Sequence, residues 1–532
     1  MTELPTPTHE YKQGKRNAFT RFLDGVEWLG NLLPHPVTLF ALLAVGIVLV
    51  SGLFGWLGVA VEDPRPAGAP NVAEDGMIRA VSLMNGDGVR RIFTGLVDNF
   101  TSFAPLGVVL VAMLGVGVAE KSGLLSAAVR SMVLGAPPKL VTVAIVFAGI
   151  ISNTASEVGY VVLIPLGGAI YYALGRHPLA GMAAAFAGVS GGYSANLLIG
   201  TIDPLLAGIT QEAAQLIDPD YTVLATANWY FMFASTFLVT IIGSLVSIYI
   251  VEPKLGPYDA SKADPDVLDE GMMQPLTDTE RKGLRWSGVA LLGVLAFMAL
   301  TLVPEWGVLR NAETGDRMDS PFFDGFVVWI LIFFITIGYT YGRVTGSMKS
   351  DRDVIDAMSE ALSALGLYIV LVFFAAQFVA FFGWTNLGAI TAVTGANFLV
   401  ESGMTGPVVF FAFILICAII NLSLGSASAQ WAVTAPIFVP MLMLIGYAPE
   451  AIQAAYRIGD STTNIITPMM SYFGLILAWA TRYQKDLGVG TLIAMMLPYT
   501  IFFITAWSAF FYLWTFVFGL PVGPGSPTYY AP

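Results

Sequence analysis

The stretch RIGDSTTNIITP, residues 457–468, decides the fold because it places charged side chains between two long apolar runs. It contains an arginine, an aspartate and several hydroxyl and amide side chains. A charged side chain at the centre of a bilayer costs about 2.5–3.5 kcal/mol on insertion scales. Such residues therefore face protein or water and mark the pathways of ions or substrates. The stretch predicts a functional site inside a membrane.

The composition supports a membrane protein. Of the 532 residues, 56% are hydrophobic and 12% are charged, whereas soluble domains carry about 25% charged residues. We therefore predict an all-α polytopic membrane protein. Three histidines and one cysteine offer no basis for a metal cluster or a disulfide framework. The net charge of −12 argues against a nucleic-acid partner.

Two kinds of apolar run follow each other along the chain. Uninterrupted runs predict membrane-spanning helices at 36–61, 102–119, 227–251, 286–302, 322–341, 366–382 and 488–518. Four other runs are broken by small and polar residues, which predicts interrupted helices: 140–174 at SNTASEVGY, 179–209 at GVSGGYSAN, 407–445 at NLSLGSASAQ, and 451–481 at the opening stretch. In the last of these runs, Gly459 is expected to permit the break.

The basic residues predict the orientation of the chain, since Lys and Arg collect in short cytoplasmic loops. We place the N-terminus in the cytoplasm and treat 140–174 and 407–445 as re-entrant hairpins. Then 18 of the 25 basic residues lie inside and six lie outside, while Arg457 lies in the membrane. This arrangement has about nine transmembrane helices, two hairpins and an external C-terminus.

The two hairpins enter from opposite faces, which suggests an inverted repeat. A shift of 271 residues superimposes LGRHP (174–178) on IGYAP (445–449) and matches Gly188 to Gly459. Inverted repeats with broken helices at the midplane are typical of secondary transporters. The predicted division is an N-terminal cytoplasmic segment 1–35, a first span and repeat 36–253, a cytoplasmic loop 254–285, two linking spans 286–351, a second repeat 352–518 and a tail 519–532.

The opening stretch offers ligands for a cation and for an anion. Asp460, Ser461, Thr463 and Asn464 supply hard oxygen atoms, which suit small cations. Asp460 could instead carry a proton, because burial raises the pKa of a carboxyl group. Arg457 presents a fork that matches a carboxylate.

Each of these side chains also has a structural interpretation. Arg457 and Asp460 are three residues apart and could neutralise each other on one helix face. Asp203 could cap a helix at the membrane interface, and Glu157 could be solvated at a hairpin tip. Trp431 could serve packing alone.

A different class of function was weighed against transport. The stretch GVSGG (188–192) matches the G-x-S-x-G pattern of serine hydrolases. An intramembrane serine protease needs a histidine at membrane depth, and neither His9, His35 nor His177 is well placed for this role. A channel fits less well than a transporter, because two opposed breaks suit alternating access. The chain is therefore not expected to be an enzyme.

Four stretches resemble the AbgT family of p-aminobenzoyl-glutamate transporters: SNTASEVGYVVLIP, SANLLIGTIDPLLAGIT, SASAQWAVTAPIFVPM and AYRIGDSTTNIITPMMSYFGLILA. Two of their motifs also resemble the wider group of elevator-type carriers. The resemblance covers nearly the whole chain. It implies a homodimer in the inner membrane, in which a transport core lies beside a dimerisation scaffold.

The resemblance also implies functional positions. For substrate binding it indicates Asp203, Trp431, Pro449 and Arg457, to which the hairpin tips add Ser152, Asn153, Thr154, Ser426 and Ser428. A sodium site would fall on Asn421, Asp460, Thr463 and Asn464. The implied function is ion-coupled transport of p-aminobenzoyl-glutamate or a related aromatic acyl-amino-acid anion, with Na⁺ or H⁺ as the coupling ion and no other cofactor. Alternatives are sulfonamide efflux and dicarboxylate symport.

Overall fold

The computed structural model describes residues 34–64, 73–155, 159–259, 275–318 and 320–531. Helices dominate these ranges, and one short antiparallel ribbon pairs β1 (Ala60–Glu62) with β2 (Met77–Arg79). Eight helices in the described ranges are long and apolar enough to cross a membrane, or nine if one bent pair counts as a single span. The predicted all-α membrane fold is confirmed. The number of crossings and the re-entrant character of the hairpins stay predictions.

Four helices precede the first hairpin. They are α1 (Pro36–Leu57), α2 (Gly86–Thr101), α3 (Ala104–Lys121) and α4 (Leu124–Leu134). The sequence prediction missed α2 because its face is amphipathic rather than continuously apolar. The helix begins at Asn85, whose side chain accepts a hydrogen bond from the Gly88 N–H at 2.7 Å. Polar positions that looked like loop therefore belong to a capped helix.

The two interrupted runs of the first half form four helices. The first run gives α5 (Val141–Ser152) and α6 (Ile164–Ala173), and the second gives α7 (Pro178–Phe186) and α8 (Ile202–Ala214). Single π-helical turns at Gly159–Leu163 and Ala187–Gly191 flank the interruptions. α5 packs against α7 and its π-helical turn, and α6 packs along α7.

Eight helices link the two sets of interrupted runs. In chain order they are α9 (Trp229–Val246), α10 (Glu252–Leu255), α11 (Asp278–Leu302), α12 (Pro321–Asp324), α13 (Phe326–Thr345), α14 (Asp351–Ala364), α15 (Gly366–Trp384) and α16 (Leu387–Glu401). α13 packs on α3 and α11, and α15 packs on α1. The most exposed apolar helices are α1 and α11. These contacts separate an outer layer from the interrupted helices inside.

The second half repeats the interrupted pattern. It contains α17 (Val409–Asn421), α18 (Ala427–Leu444), α19 (Pro449–Thr463), α20 (Phe473–Tyr483) and α21 (Val489–Tyr512). α17 packs on α19, and α18 packs on α8 of the first half. Every residue of α19 is buried, including its charged side chains. The two halves thus meet through their interrupted helices.

The interruptions follow the 271-residue offset predicted from the sequence. Pro178 and Pro449 are 271 residues apart, and they begin α7 and α19. The same offset brings the non-α-helical segment 192–201 onto the segment 464–472 to within one residue. The repeat is therefore visible in the positions of the breaks, while the inverted orientation of the halves stays a prediction.

The prediction that α19 breaks at Gly459 is wrong. Gly459 lies within the continuous helix, which ends at Thr463. A Cβ atom at this position would lie 2.6 Å from the Ile414 carbonyl oxygen and 2.7 Å from Cys417 Cβ. Its counterpart Gly188 has the same close approach to the Val146 carbonyl of α5. Both glycines therefore permit backbone contact between helices rather than a break.

The C-terminal tail lies across the turn between α18 and α19. The Ala448 N–H donates to the Thr528 carbonyl at 3.1 Å, and the Tyr530 N–H donates to the Gly446 carbonyl at 3.0 Å. The Tyr530 hydroxyl also donates to Asp218 Oδ2 at 3.2 Å. The tail thus ties the second interrupted pair to the loop that precedes α9.

The predicted orientation can be tested by cysteine labelling, because the native Cys417 is fully buried. Val308, Tyr529 and Leu174 are 79%, 58% and 41% exposed. An impermeant thiol reagent is expected to label Val308→Cys and Tyr529→Cys in intact cells, and to reach Leu174→Cys after the membrane is permeabilised. The opposite pattern would invert the orientation.

Candidate functional site

The four interruptions meet around a cavity of about 220 Å³. Every interruption contributes to its lining, which consists of Asn153, Tyr160, Tyr193, Thr201, Ile202, Gly425, Ser426, Ala427, Ser428, Asn464, Met470, Ser471 and Tyr472. Backbone without helical hydrogen bonds is tolerated at membrane depth where it lines such a cavity. Both halves of the chain therefore build one chamber.

Two helices begin at this cavity. α8 starts at Ile202 and α18 starts at Ala427, and both residues line the cavity. Ser426 precedes α18 without a side-chain capping bond, so its hydroxyl does not occupy the first N–H groups of that helix. The N-terminus of a helix carries a partial positive charge and binds anions. The cavity is thus suited to a negatively charged ligand.

A buried ion pair joins the two halves close to this cavity. Arg457 Nη2 of α19 lies 2.6 Å from Asp203 Oδ1 of α8, and the two side chains are only 2% and 3% exposed. Asp203 Oδ2 also accepts a hydrogen bond from the Gly200 N–H at 2.6 Å. Asp203 therefore holds the start of α8 and compensates the arginine. The interpretation that Arg457 neutralises Asp460 is replaced by this longer-range pair.

Arg457 keeps donors that its ion pair does not use. Within the described residues, its Nε and Nη1 atoms are buried and have no hydrogen-bond partner. Arg457 and Asp203 do not line the cavity themselves, but Thr201 and Ile202, adjacent to Asp203, do. The charged pair thus lies behind the cavity wall and retains capacity to bind a carboxylate.

The four predicted sodium ligands lie together. Asn421 Nδ2 is 2.7 Å from the Asp460 carbonyl oxygen, 3.0 Å from Thr463 Oγ1 and 2.8 Å from Asn464 Oδ1. An amide group has two hydrogens, so it cannot satisfy three acceptors fully. Asn421 Oδ1 is also buried, and none of the described residues donates to it. The cluster therefore has more oxygen acceptors than donors.

The carboxylate of Asp460 adds to this surplus. Asp460 is 1% exposed, and neither of its carboxylate oxygens has a donor in the described part of the chain. Tyr456 lies nearby, but its hydroxyl donates to the Ala427 carbonyl at 2.6 Å. A buried ionised carboxylate without compensation is strongly unfavourable. The donor set fits a hard cation, which prefers oxygen ligands.

The sequence comparisons identify the family. The model of the AbgT putative transporter family matches residues 21–530. The chain belongs to the AbgT family. This AbgT chain is also 37% identical over 500 residues to the p-aminobenzoyl-glutamate transport protein of Escherichia coli K12, covering 94% of this chain and 95% of that protein. The resemblance found in the sequence is thus confirmed, and the protein is an integral membrane transporter.

Two solved AbgT structures are similar to this one. MtrF of Neisseria gonorrhoeae, described as representing a class of antimetabolite efflux pumps, is 60% identical, with a TM-score of 0.89 over 95% of this chain and 100% of its own. The YdaH transporter of Alcanivorax borkumensis, described as having an unusual topology, is 45% identical, with a TM-score of 0.85 over 92% and 100%. The fold of this AbgT chain is therefore that of known transporters.

The remaining predicted site residues of the AbgT chain divide into two groups. Asn153, Ser426 and Ser428 line the cavity. Ser152 and Thr154 instead line a neighbouring apolar cavity against α4, α11 and α13. Pro449 begins α19, about 20 Å along the helix axis from its end at the cavity. Glu157 lies outside the described residues.

Trp431 lies behind the cavity rather than in its wall. It is fully buried and stacks on Tyr456, with ring centroids 4.2 Å apart. Its indole N–H donates to Thr210 Oγ1 at 2.9 Å. Thr210 belongs to α8, so Trp431 fixes α18 against the helix that carries Asp203. The packing interpretation thus describes its contacts in this structure.

The sequence prediction missed the aromatic residues of the cavity. Tyr160, Tyr193 and Tyr472 all contribute to its lining. Tyr160 and Trp431 are 271 residues apart, so the repeat offset could have indicated that position. Tyr472 follows the opening stretch by four residues, where its aromatic character resembles that of the neighbouring apolar run.

The G-x-S-x-G match does not form a hydrolase site. Ser190 lies in a π-helical turn, and its hydroxyl is 3.1 Å from Met470 Sδ. His35 accepts a hydrogen bond from the Val37 N–H at the start of α1, and His177 packs on Tyr258. Neither of these two described histidines contacts Ser190.

Proposed function

We propose that this chain is an ion-coupled secondary transporter of p-aminobenzoyl-glutamate or a related aromatic acyl-amino-acid anion. The observation that carries the proposal is the convergence of four helix interruptions on a cavity beside a buried ion pair and an oxygen-rich cluster. The similarity to the Escherichia coli transport protein supports this substrate class. The protein works as a homodimer in the inner membrane, with its N-terminus in the cytoplasm and its C-terminus outside.

The anionic end of the substrate binds at the N-termini of α8 and α18. Their free N–H groups and partial positive charges attract carboxylates. Arg457 supplies a fixed positive charge behind them, with two nitrogen atoms that its pair with Asp203 leaves available. Asn153, Ser426 and Ser428 offer hydrogen bonds at the cavity surface.

The coupling ion is Na⁺, which binds among Asn421, Asp460, Thr463 and Asn464. A proton would satisfy one oxygen of Asp460, whereas the cluster contains several buried oxygens that lack donors. A small cation neutralises the carboxylate and is ligated by those oxygens together. Substrate and ion then cross with the interrupted helices as these move against the outer helices, in an elevator-type cycle.

Efflux of sulfonamide antimetabolites is a second candidate. The identity to MtrF is 60%, against 37% to the p-aminobenzoyl-glutamate transport protein. Both classes of molecule carry an aromatic ring, so one cavity can accept either. The direction of transport depends on the imposed gradients rather than on the residues of the cavity.

The test uses purified protein in sealed vesicles, with a sodium or a proton gradient imposed separately. We expect p-aminobenzoyl-glutamate to accumulate when the sodium gradient is imposed, and succinate to be transported poorly. Transport of succinate in preference would support a dicarboxylate symporter. Transport of a sulfonamide without p-aminobenzoyl-glutamate would support the efflux candidate instead.

A further inference from the structure

Two tyrosine rings in the cavity wall stack face to face. Tyr160 and Tyr472 have ring centroids 4.6 Å apart and an interplanar angle of 8°. Tyr160 belongs to the first half of the chain and Tyr472 to the second. Their contact therefore bridges the two halves at the surface of the cavity.

The position of this pair differs from that of the other aromatic stack nearby. Trp431 and Tyr456 are both fully buried and are fixed by hydrogen bonds to Thr210 and Ala427. Tyr472 is half-buried and lies in the segment between the 3₁₀ turn Asn464–Ile466 and α20, outside regular helix. Tyr160 lies in a π-helical turn beside the other interruption. Neither ring of the Tyr160–Tyr472 pair belongs to an uninterrupted α-helix.

We propose that Tyr160 and Tyr472 form the subsite for the aromatic ring of the substrate, and that the ring inserts between them. This assignment rests on the proposed function. In the absence of substrate, each tyrosine covers the face of the other. When a flat ring enters, each tyrosine exchanges its partner for a face of the ligand, so the stacking contact is replaced rather than lost. An aliphatic acyl group has no such face.

The surroundings of the pair match the rest of the ligand. The hydroxyl and amide groups of Asn153, Ser426 and Ser471 line the same cavity and suit the polar substituents of the ring. The N-termini of α8 and α18 lie in the same wall and suit the carboxylates. The pair thus selects an aromatic acyl group, while the helix termini bind the anion regardless of that group.

The experiment compares two ligands that share a glutamate and differ in the acyl group. Binding of p-aminobenzoyl-glutamate and of N-acetyl-glutamate is measured by calorimetry on the purified full-length protein in lipid nanodiscs. Loss of one aromatic contact corresponds to about a 2- to 12-fold change in affinity. We expect Tyr160→Leu and Tyr472→Leu to weaken binding of the aromatic ligand by this factor and to leave binding of the acetyl ligand nearly unchanged.

Matched variants separate ring stacking from other effects. Tyr160→Phe and Tyr472→Phe keep the ring face and should bind both ligands as wild type does. Phe411→Leu is the control, since Phe411 stacks on Tyr512 at 5.7 Å outside the cavity. If a leucine variant fails to fold, the corresponding methionine variant replaces it, because methionine fills a similar length without a ring.

The outcomes are distinct. Equal weakening of both ligands in the leucine variants, or weakening in the phenylalanine variants, would overturn the aromatic subsite. Failure of wild type to bind either glutamate conjugate would overturn the proposed function itself. Selective loss of the aromatic ligand in the leucine variants supports both.

Discussion

Replacing Asp460 with asparagine is expected to abolish sodium-driven accumulation while the protein remains folded. The amide keeps the shape of the side chain and removes the buried charge that a cation would neutralise. Arg457 does not depend on Asp460, because its ion-pair partner is Asp203. The loss should therefore appear in coupling rather than in folding. Uptake into vesicles with an imposed sodium gradient measures the effect.

Melting temperatures with and without Na⁺ give a second measurement of this site. A ligand at 100 times its Kd stabilises a folded protein by about 2.7 kcal/mol. Sodium should therefore raise the melting temperature of wild type and have no effect on Asp460→Asn. Absence of a sodium effect in wild type, combined with transport driven by a proton gradient alone, would contradict the sodium site and leave Asp460 or Asp203 as the proton carrier.

Two adjacent threonines provide a matched control for the sodium site. Thr463 Oγ1 is 3.0 Å from Asn421 Nδ2, within the oxygen-rich cluster. The Thr462 hydroxyl donates back to the Ile458 carbonyl at 2.7 Å within its own helix. Thr463→Ala should weaken the response to sodium, and Thr462→Ala should leave it intact. Equal responses in the two variants would place the ion elsewhere.

Breaking the Arg457–Asp203 pair is expected to cause the largest loss of stability. Removing one partner of a buried ion pair costs about 3–5 kcal/mol, because the other charge stays buried without compensation. Arg457→Gln and Asp203→Asn should therefore both unfold at much lower temperature. The double variant carries neither charge and should recover most of the lost stability. Thermal unfolding of the purified proteins measures this cycle.

Transport should not recover with stability. The double variant lacks the positive charge behind the anion site, so its uptake of p-aminobenzoyl-glutamate should remain lost. Arg457→Lys keeps the charge but loses the planar fork and should also transport poorly. Lys121→Met removes an exposed ion pair with Glu360 and should change neither property. Near-normal uptake by Arg457→Lys or by the double variant would reduce the pair to a structural role.

The sequence could predict the fold because the information is local. Apolar runs and their interruptions lie in consecutive residues, and the 271-residue offset needs only a comparison of the chain with itself. The sodium ligands were predictable as a group because Asp460, Thr463 and Asn464 share one stretch, and the resemblance added Asn421. The structure brings these four residues together, as the prediction requires.

The pairing of side chains across the two halves could not be predicted in the same way. Arg457 and Asp460 are three residues apart, so local spacing favoured their mutual neutralisation, whereas the actual partner of Arg457 lies 254 residues away. Trp431 attracted attention as an aromatic residue near a hairpin tip, but tertiary packing places it behind the wall and brings Tyr160 and Tyr472 to the surface. Such contacts depend on how α8, α18 and α19 pack.

The backbone contacts at Gly188 and Gly459 bear on how tightly ion and substrate flux are linked. They join α5 to the segment after α7 and α17 to α19, with no side chain between the helices. Asn421 and Asp460 lie on the two helices joined at Gly459, so their separation is fixed by main-chain contact. We infer that the cation site keeps its shape at every stage of the cycle. Uncoupled ion leakage is then limited by a rigid frame, and not by the closing of a gate.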